Sequence, residues 1–377
     1  MKVLYYSHGL PLGGAETIVA NQLIELKKRS VDVVLVVRQA GNDDTILRNR
    51  LEQNNIKILR LFKELPKNWF LMHLCLLYQL ITYKQRWKII LKKESPDLIY
   101  IHTTTNLIYK IAFPVNRMIY TFHSEVERYI KLSRRSDYYH IKDMASKGMS
   151  FFVLSRKMEQ EVKDFFHTEK VRIIPNFVNI QDILSSGYER NQFLEKEQIP
   201  EDAFILGHVG RFHEVKNHEK ILDVFKELHS INKNSYLILI GGDCDGRMEI
   251  IKERVKAYGL SNYVRFLGIR EDATSIVKCF NAFILPSFSE SFSLALVEAQ
   301  VFGIRCVASD KVPEDVICNT NCSTMSLEKS NKEWAKELLS NIEEQKNSSI
   351  DMYDVNRVME ELLAEFERIH RESFFLG

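Results

Sequence analysis

The chain is poor in the residues that would make it fibrous, disordered or cross-linked. Its 377 residues include 15 Gly and 8 Pro, no stretch repeats, and aromatics occur throughout. Collagen-like, linker-like and disordered classes are thereby excluded. The six cysteines, at 75, 244, 279, 306, 318 and 322, form no Cys-x-x-Cys unit, so they resemble neither a disulfide framework nor a zinc site. Cys318 and Cys322 are four apart, but no second pair completes a tetrahedron, and no structural metal is expected. Residues 1–20 lack the basic start, apolar run and small-residue cleavage site of a secretory signal, which points to the cytoplasm. Gly9, Gly13 and Gly14 do not make Gly-x-Gly-x-x-Gly, and there is no Gly-Lys-Ser/Thr, which disfavours a dehydrogenase and a P-loop NTPase. No aromatic-rich RNA motif or basic recognition helix is present, so nucleic acid is not an expected partner.

What is there is a globular composition, 45% hydrophobic and 27% charged, in a chain longer than one core usually organises. The formal net charge of +2 hides an asymmetry. Residues 1–184 hold 29 Lys and Arg against 18 Asp and Glu, a net of +11, and the remainder holds 23 against 32, a net of −9. A basic first half suits an anionic partner such as a membrane surface, a lipid phosphate or a nucleic acid.

Short apolar runs at Lys2 to Ser7, Asp32 to Val37, Ile56 to Leu61, Asp97 to Ile101, Met118 to Phe122, Phe151 to Leu154 and Val171 to Ile174 alternate with helix-length segments. Runs at Phe204 to Val209, Tyr236 to Ile240, Val264 to Leu267, Ala282 to Leu285 and Arg305 to Ser309 repeat the pattern after a polar stretch at 181–203. This is the rhythm of buried parallel strands and crossover helices, and it predicts an α/β chain of two Rossmann-like, doubly wound domains facing across a cleft. The expected boundaries are 1–180 and 181–354, with a C-terminal helix at about 355–377 packing back on the first domain. Trp69 to Tyr83 is apolar apart from His73 and Gln79 and is flanked by Lys67, Lys84, Arg86, Lys88, Lys92 and Lys93. Too short to span a bilayer, it reads as a packed or interfacial helix.

Two segments carry candidate chemistry. In His208-Val209-Gly210-Arg211-Phe212-His213-Glu214-Val215-Lys216-Asn217-His218, Arg211 and Lys216 leave the carboxyl end of a strand. A forked guanidinium and a point-charge ammonium at that place suit a diphosphate. In Pro286 to Ala299, Ser291 or Ser293 can cap a helix that Gly303 closes, and the amides near Ser293 and Leu294 form an anion site at its positive end. Glu290 falls on the loop ahead of that helix and Glu298 inside it, too far apart to pair through helix spacing.

These stretches resemble the retaining glycosyltransferases of glycosyltransferase family 4, which have the GT-B fold, and in particular their bacterial capsule, exopolysaccharide and O-antigen members. Gly210-Arg211 with Lys216-Asn217 is similar to the family's diphosphate motif, and Glu290 to Glu298 has its Glu-x7-Glu spacing. Gly13-Gly14-Ala15-Glu16, Ile174 to Asn179 and Val264 to Gly268 are weaker matches. The resemblance implies that Arg211 and Lys216 hold the nucleotide diphosphate together with Gly210, that Glu298 binds the ribose, and that Glu290 contacts the donor sugar. It implies further that Gly13 and Gly14 approach phosphate or acceptor, that Gly268 lies in the base-binding region, and that His123 touches the sugar, with His102 as its rival.

The implied activity is retaining, metal-independent transfer from a nucleotide-diphosphate sugar, a UDP-sugar in the first instance, to a saccharide acceptor that is lipid-linked. It implies no cofactor beyond that co-substrate, and a place in the cytoplasm or peripherally on the inner face of the membrane. A sugar-nucleotide 2-epimerase of the same architecture and a non-catalytic nucleotide-sugar-binding subunit are the alternatives. Ser291 and Ser293 stand where many members have Gly, and a positive φ at either would strain it.

Overall fold

A computed structural model describes residues 1–10, 13–39, 45–102, 107–185, 188–340 and 349–375. Pro11 and Leu12 of the first glycine-containing loop lie outside the described residues. The chain divides into two compact units, Met1–Pro175 with Val358–Gly377, and Asn176–Arg357.

The first unit runs β1 (Lys2–Ser7), α1 (Gly14–Lys28), β2 (Asp32–Gln39), α2 (Thr45–Gln53), β3 (Lys57–Phe62), α3 (Trp69–Glu94), β4 (Leu98–His102), β5 (Met118–Thr121), α4 (Val126–Leu132), α5 (Arg135–Ser146), β6 (Ser150–Val153), α6 (Arg156–Phe166) and β7 (Val171–Ile173). Its sheet is parallel, in the order β3-β2-β1-β4-β5-β6-β7. Val3 to Tyr6 and Leu98 to Ile101 are buried because helices cover both faces. The sequence therefore reads as unbroken apolar runs there, with no polar alternation.

The second unit runs α7 (Ile180–Ser185), α8 (Arg190–Lys196), β8 (Phe204–Val209), α9 (His218–Ile231), β9 (Ser235–Ile240), α10 (Arg247–Ala257), β10 (Val264–Gly268), α11 (Ala273–Val277), β11 (Ala282–Leu285), α12 (Leu294–Val301), β12 (Arg305–Ser309), β13 (Cys322–Met325) and α13 (Asn331–Leu338). α14 (Val355–Phe375) counts with the first unit from Val358 onward. The order β10-β9-β8-β11-β12-β13 repeats the doubly wound scheme, again all parallel. The core of this unit gathers Leu206, Phe212, Phe225, Leu237, Ile284 and Trp334.

Both sheets reverse winding direction beside their first strand, between β1 and β4 and between β8 and β11. Ligands of such sheets bind outside the carboxyl ends at that switch point. In the second unit the two loops leaving the switch-point strands are Gly210 to Asn217 and Pro286 to Ser293, the two segments singled out above.

Two elements differ from expectation. Cys322–Met325 is an edge strand although its sequence, Cys-Ser-Thr-Met, is no apolar run; with a single neighbour only Cys322 is buried, and it carries no strong signal. The polar stretch at 181–203 is partly helical, forming most of α7 and all of α8.

Candidate diphosphate site of the second unit

The two motif loops are stitched together. The Phe288 amide donates to the Val215 carbonyl at 2.8 Å, and the Asn217 side-chain amide donates to the Pro286 carbonyl at 3.1 Å. Asn217 also caps α9, its Oδ1 accepting from the Lys220 amide at 3.3 Å. It does both from a left-handed conformation, φ 55°, which Asn tolerates better than most residues. The first loop is held from the other side too, by the Gly210 amide on the Ile240 carbonyl and the Phe212 amide on the Gly242 carbonyl, each at 2.8 Å. A Cβ at Gly241 would lie 2.0 Å from the Gly210 carbonyl oxygen, so only glycine lets these strand ends meet.

Within this frame Lys216 Nζ donates to Glu290 Oε1 at 2.6 Å, and the Ser287 hydroxyl donates to the same oxygen at 2.7 Å. Glu290 is buried and Lys216 partly so. Two residues 74 apart in sequence are thus joined by an ion pair. Arg211 points to solvent, and among the described residues its guanidinium has no carboxylate within ion-pair distance. Ser287 was not singled out from sequence, nor was Ser309, whose hydroxyl donates to the Ser287 carbonyl at 2.6 Å. The only signal for either was its position at the end of a strand.

Ser293 is the N-cap of α12, with φ −129° and its hydroxyl accepting from the Leu296 amide at 3.4 Å. The amides of Leu294 and Ala295 precede the first intrahelical bond and face the start of the helix. Neither Ser291 nor Ser293 has a positive φ, so the strain considered for them does not arise. Gly303 closes the turn after α12 at φ +71°. Since Gly loses only a few tenths as an N-cap, Ser293→Gly leaves stability nearly unchanged, whereas Ser293→Ala lowers it by about 1 kcal/mol. Urea denaturation of the two variants checks this.

Glu298, one turn into α12, has its carboxyl pushed up to about 7, because burial outweighs the opposing hydrogen bond with Thr274. Thr274, on α11, is a third residue that sequence gave no reason to choose. Gly268 ends β10 with φ +65°, and its carbonyl accepts from the Gly241 amide at 2.8 Å. Beneath the Arg211 loop lie two further histidines. His208 Nδ1 contacts the Ile284 carbonyl at 2.9 Å, and the His218 ring stacks on Phe212 at 4.1 Å. Burial holds His208 well below its usual range and His218 at about 3, so both are neutral at pH 7.

In the first unit, His102 and His123 are partners. His102 Nδ1 lies 3.0 Å from His123 Nε2, the rings nearly parallel. Neighbouring strands bring them near: His102 ends β4 opposite Thr121, the last residue of β5, and His123 follows two residues beyond it. Burial holds His123 at about 4 and His102 well below its usual value, so this pair is neutral as well. Gly13 is the N-cap of α1 with an extended backbone, and a Cβ at Gly14 would enter open space. Neither is there for a left-handed turn.

The family model described as "Glycosyltransferase Family 4" matches residues 12–182, and that described as "Glycosyl transferases group 1" matches residues 189–355. The putative glycosyltransferase EpsF of Bacillus subtilis is 32% identical over 170 residues, 45% of this chain and 44% of that protein. The UDP-Gal:alpha-D-GlcNAc-diphosphoundecaprenol alpha-1,3-galactosyltransferase of Escherichia coli is 25% identical over 236 residues, 59% of each chain. The chain thus spans about half the length of these two relatives. Among solved structures, Anabaena HepE in complex with UDP-glucose superposes with a TM-score of 0.75 at 18% identity, covering 98% of this chain and 100% of that one. WaaG, a glycosyltransferase involved in lipopolysaccharide biosynthesis, superposes at 0.65 with 15% identity and 90% of each chain. These likenesses show the fold, two Rossmann-like units of GT-B type.

Proposed function

Because the chain belongs to glycosyltransferase family 4, we propose that it transfers a sugar from a nucleoside-diphosphate sugar to a saccharide acceptor during assembly of a bacterial surface polysaccharide. The observation that carries this is the pair of stitched loops at the β8/β11 switch point, which place Arg211, Lys216 and the amides at the start of α12 at one sheet end. Two cations and a helix N-terminus are a cradle for a diphosphate. UDP is the favoured nucleotide, supported by the complexes of HepE and by the donor in the galactosyltransferase's name.

In the proposed reaction the acceptor hydroxyl attacks the anomeric carbon as its bond to the diphosphate oxygen breaks. The bonding pair leaves on the diphosphate, which accepts the hydroxyl proton on the same face, so configuration is retained. Arg211, Lys216 and the Leu294 amide meet the charge as it develops, which is why the transfer is read as metal-independent. An incoming phosphate competes with Glu290 for Lys216, and the freed Glu290 carboxylate then accepts from donor-sugar hydroxyls. Glu298 accepts from the ribose, and Gly210 lets the backbone approach the phosphates. Gly268 belongs to the base-binding side. His123 is assigned to the sugar, and Gly13 and Gly14 to close approach of phosphate or acceptor, from the family match. The acceptor is read as a lipid-linked saccharide at the inner membrane face, supported by the +11 charge of residues 1–184.

The test is melting of the pure protein with UDP, GDP and ADP and their sugar conjugates. At a hundred times its dissociation constant the correct nucleotide stabilises by about 2.7 kcal/mol. Stabilisation by one nucleoside diphosphate, followed by a sugar-bearing product when acceptor is added, supports the reading. Isomerised donor without acceptor would identify an epimerase, and no response to any nucleotide would overturn the donor site.

A further inference from the structure

α3 is attached to its unit by one half only. Tyr83 and Trp87 are fully buried; the Tyr83 hydroxyl lies 3.0 Å from that of Tyr6, and the Trp87 ring packs edge-on against Tyr6 at 4.9 Å. Farther on, the buried Glu94 carboxylate holds Lys2 at 3.0 Å and Lys57 at 2.7 Å. In the first turns, by contrast, Trp69, Phe70, Leu71, Leu74, Leu77 and Tyr78 are all exposed. At about 100° per residue these side chains leave the helix in directions that cover more than half the circle. Met72 and Cys75, also apolar and only partly buried, fill the rest. A stretch of about 15 Å is therefore bare over more than half its circumference, and apolar there apart from the exposed His73.

That geometry selects among occupants. A protein partner, or a second copy of this chain, buries one face of a helix and leaves the opposite face wet; a fluid apolar phase surrounds it. Charge points the same way. From residue 65 to residue 93 there is no Asp or Glu, and Lys67, Lys84, Lys88, Lys92 and Lys93 are exposed along the helix and its approach. Two copies of a unit this basic repel each other, whereas an anionic lipid surface attracts it. Trp69 and Tyr78, near either end of the bare stretch, are residue types that favour the boundary between acyl chains and headgroups. Among the described residues no helix is long and apolar enough to cross a membrane, so insertion stops at that boundary.

We propose that the first three turns of α3, led by Trp69 and Phe70, insert into the interfacial layer of an anionic bilayer as a hydrophobic anchor, with the exposed lysines against the headgroups. The anchor deepens the acceptor side of the reading above and rests on it, since a lipid-linked acceptor is presented at that surface.

The chain's three tryptophans make a clean reporter: Trp69 is 70% exposed while Trp87 and Trp334 are 0% exposed. The experiment mixes the full chain with vesicles of phosphatidylcholine alone or with phosphatidylglycerol, following sedimentation and tryptophan emission. Expected are co-sedimentation with the anionic vesicles and a shift of emission to shorter wavelength, the shift disappearing in Trp69→Phe. Phe70→Ser with Leu77→Ser, both exposed positions, lowers the vesicle partition by about tenfold or more and leaves the melting shift with UDP unchanged. Sedimentation without an emission shift, equal binding to uncharged vesicles, or a lipid-free, concentration-dependent shift with dimer formation would each overturn the anchor. A protein that inserts yet ignores every nucleotide keeps the anchor and removes the transferase reading; one that binds UDP and does not insert does the reverse.

Discussion

Arg211→Ala turns over its donor about 10²- to 10³-fold more slowly than the parent chain and melts at the same temperature. The rate follows from removing one preorganised charge from a leaving diphosphate, on the order of 3 to 4 kcal/mol of transition-state stabilisation. The unchanged melting follows from the structure: the guanidinium is exposed and has no carboxylate within ion-pair distance among the described residues, so the fold loses nothing with it. Lys216→Ala behaves differently. It loses a comparable factor in rate, but it also leaves the buried Glu290 carboxylate with, among the described residues, only the Ser287 hydroxyl, since the 2.6 Å ion pair is gone. Stability should fall by about 1 to 3 kcal/mol, the cost of a buried group left short of a partner. Adding Glu290→Gln to Lys216→Ala restores most of the melting temperature and none of the turnover. Steady-state kinetics and denaturant unfolding of the three variants decide the matter. Wild-type turnover by Arg211→Ala would remove the diphosphate assignment.

That pair of loops shows where a sequence can be read and where it stops. The apolar runs at Phe204 to Val209 and Ala282 to Leu285 are recognisable because strands buried on both faces must be apolar throughout, and the same is true of β1, β2 and β4. The loops that follow them carry charged residues and glycines at strand ends, the one place in such a sheet where backbone and charge are free to face a ligand. Contacts between the loops are another matter. Nothing local to Ser287 distinguishes it from any serine after a proline; it becomes visible only when the Lys216 loop, 71 positions earlier in the sequence, is laid beside it. His102 and His123 competed for one role in sequence because strand order was unknown, and the β4/β5 register makes them one pair. β13 was missed because an edge strand with one neighbour needs no apolar run. For α3 the apolar composition was plain, but exposure is a property of what surrounds a helix. The apolar run leaves a packed and an interfacial helix both open, and the fold shows that its first turns are exposed.

Affinity for UDP falls about a hundredfold between pH 8 and pH 5 through Glu298 alone, and the Glu298→Gln variant lacks that component. With the free carboxyl at about 7, roughly nine molecules in ten hold its proton at pH 6 and about 99 in 100 at pH 5. A neutral acid accepts fewer hydrogen bonds from ribose hydroxyls than a carboxylate does, so binding must expel the proton and weakens about tenfold per pH unit below 7. Titration of the UDP terminal phosphate is common to both proteins and cancels in their difference. Stability runs the other way for this group. Its folded value is raised, so its contribution is complete below the ordinary carboxyl value, 4.5, and is lost as pH rises through about 7. The buried histidines oppose it. His123 at about 4 and His218 at about 3 are lowered from 6.5, so what they contribute is complete above 6.5 and is lost as pH falls through those values. Melting of the ligand-free protein therefore declines in acid for both parent and Glu298→Gln, while only the parent's UDP affinity carries the additional loss below about pH 7 that comes from Glu298. Calorimetric titration across pH in the two proteins separates the terms, and a Glu298→Gln profile as steep as the parent's would take the ribose away from Glu298.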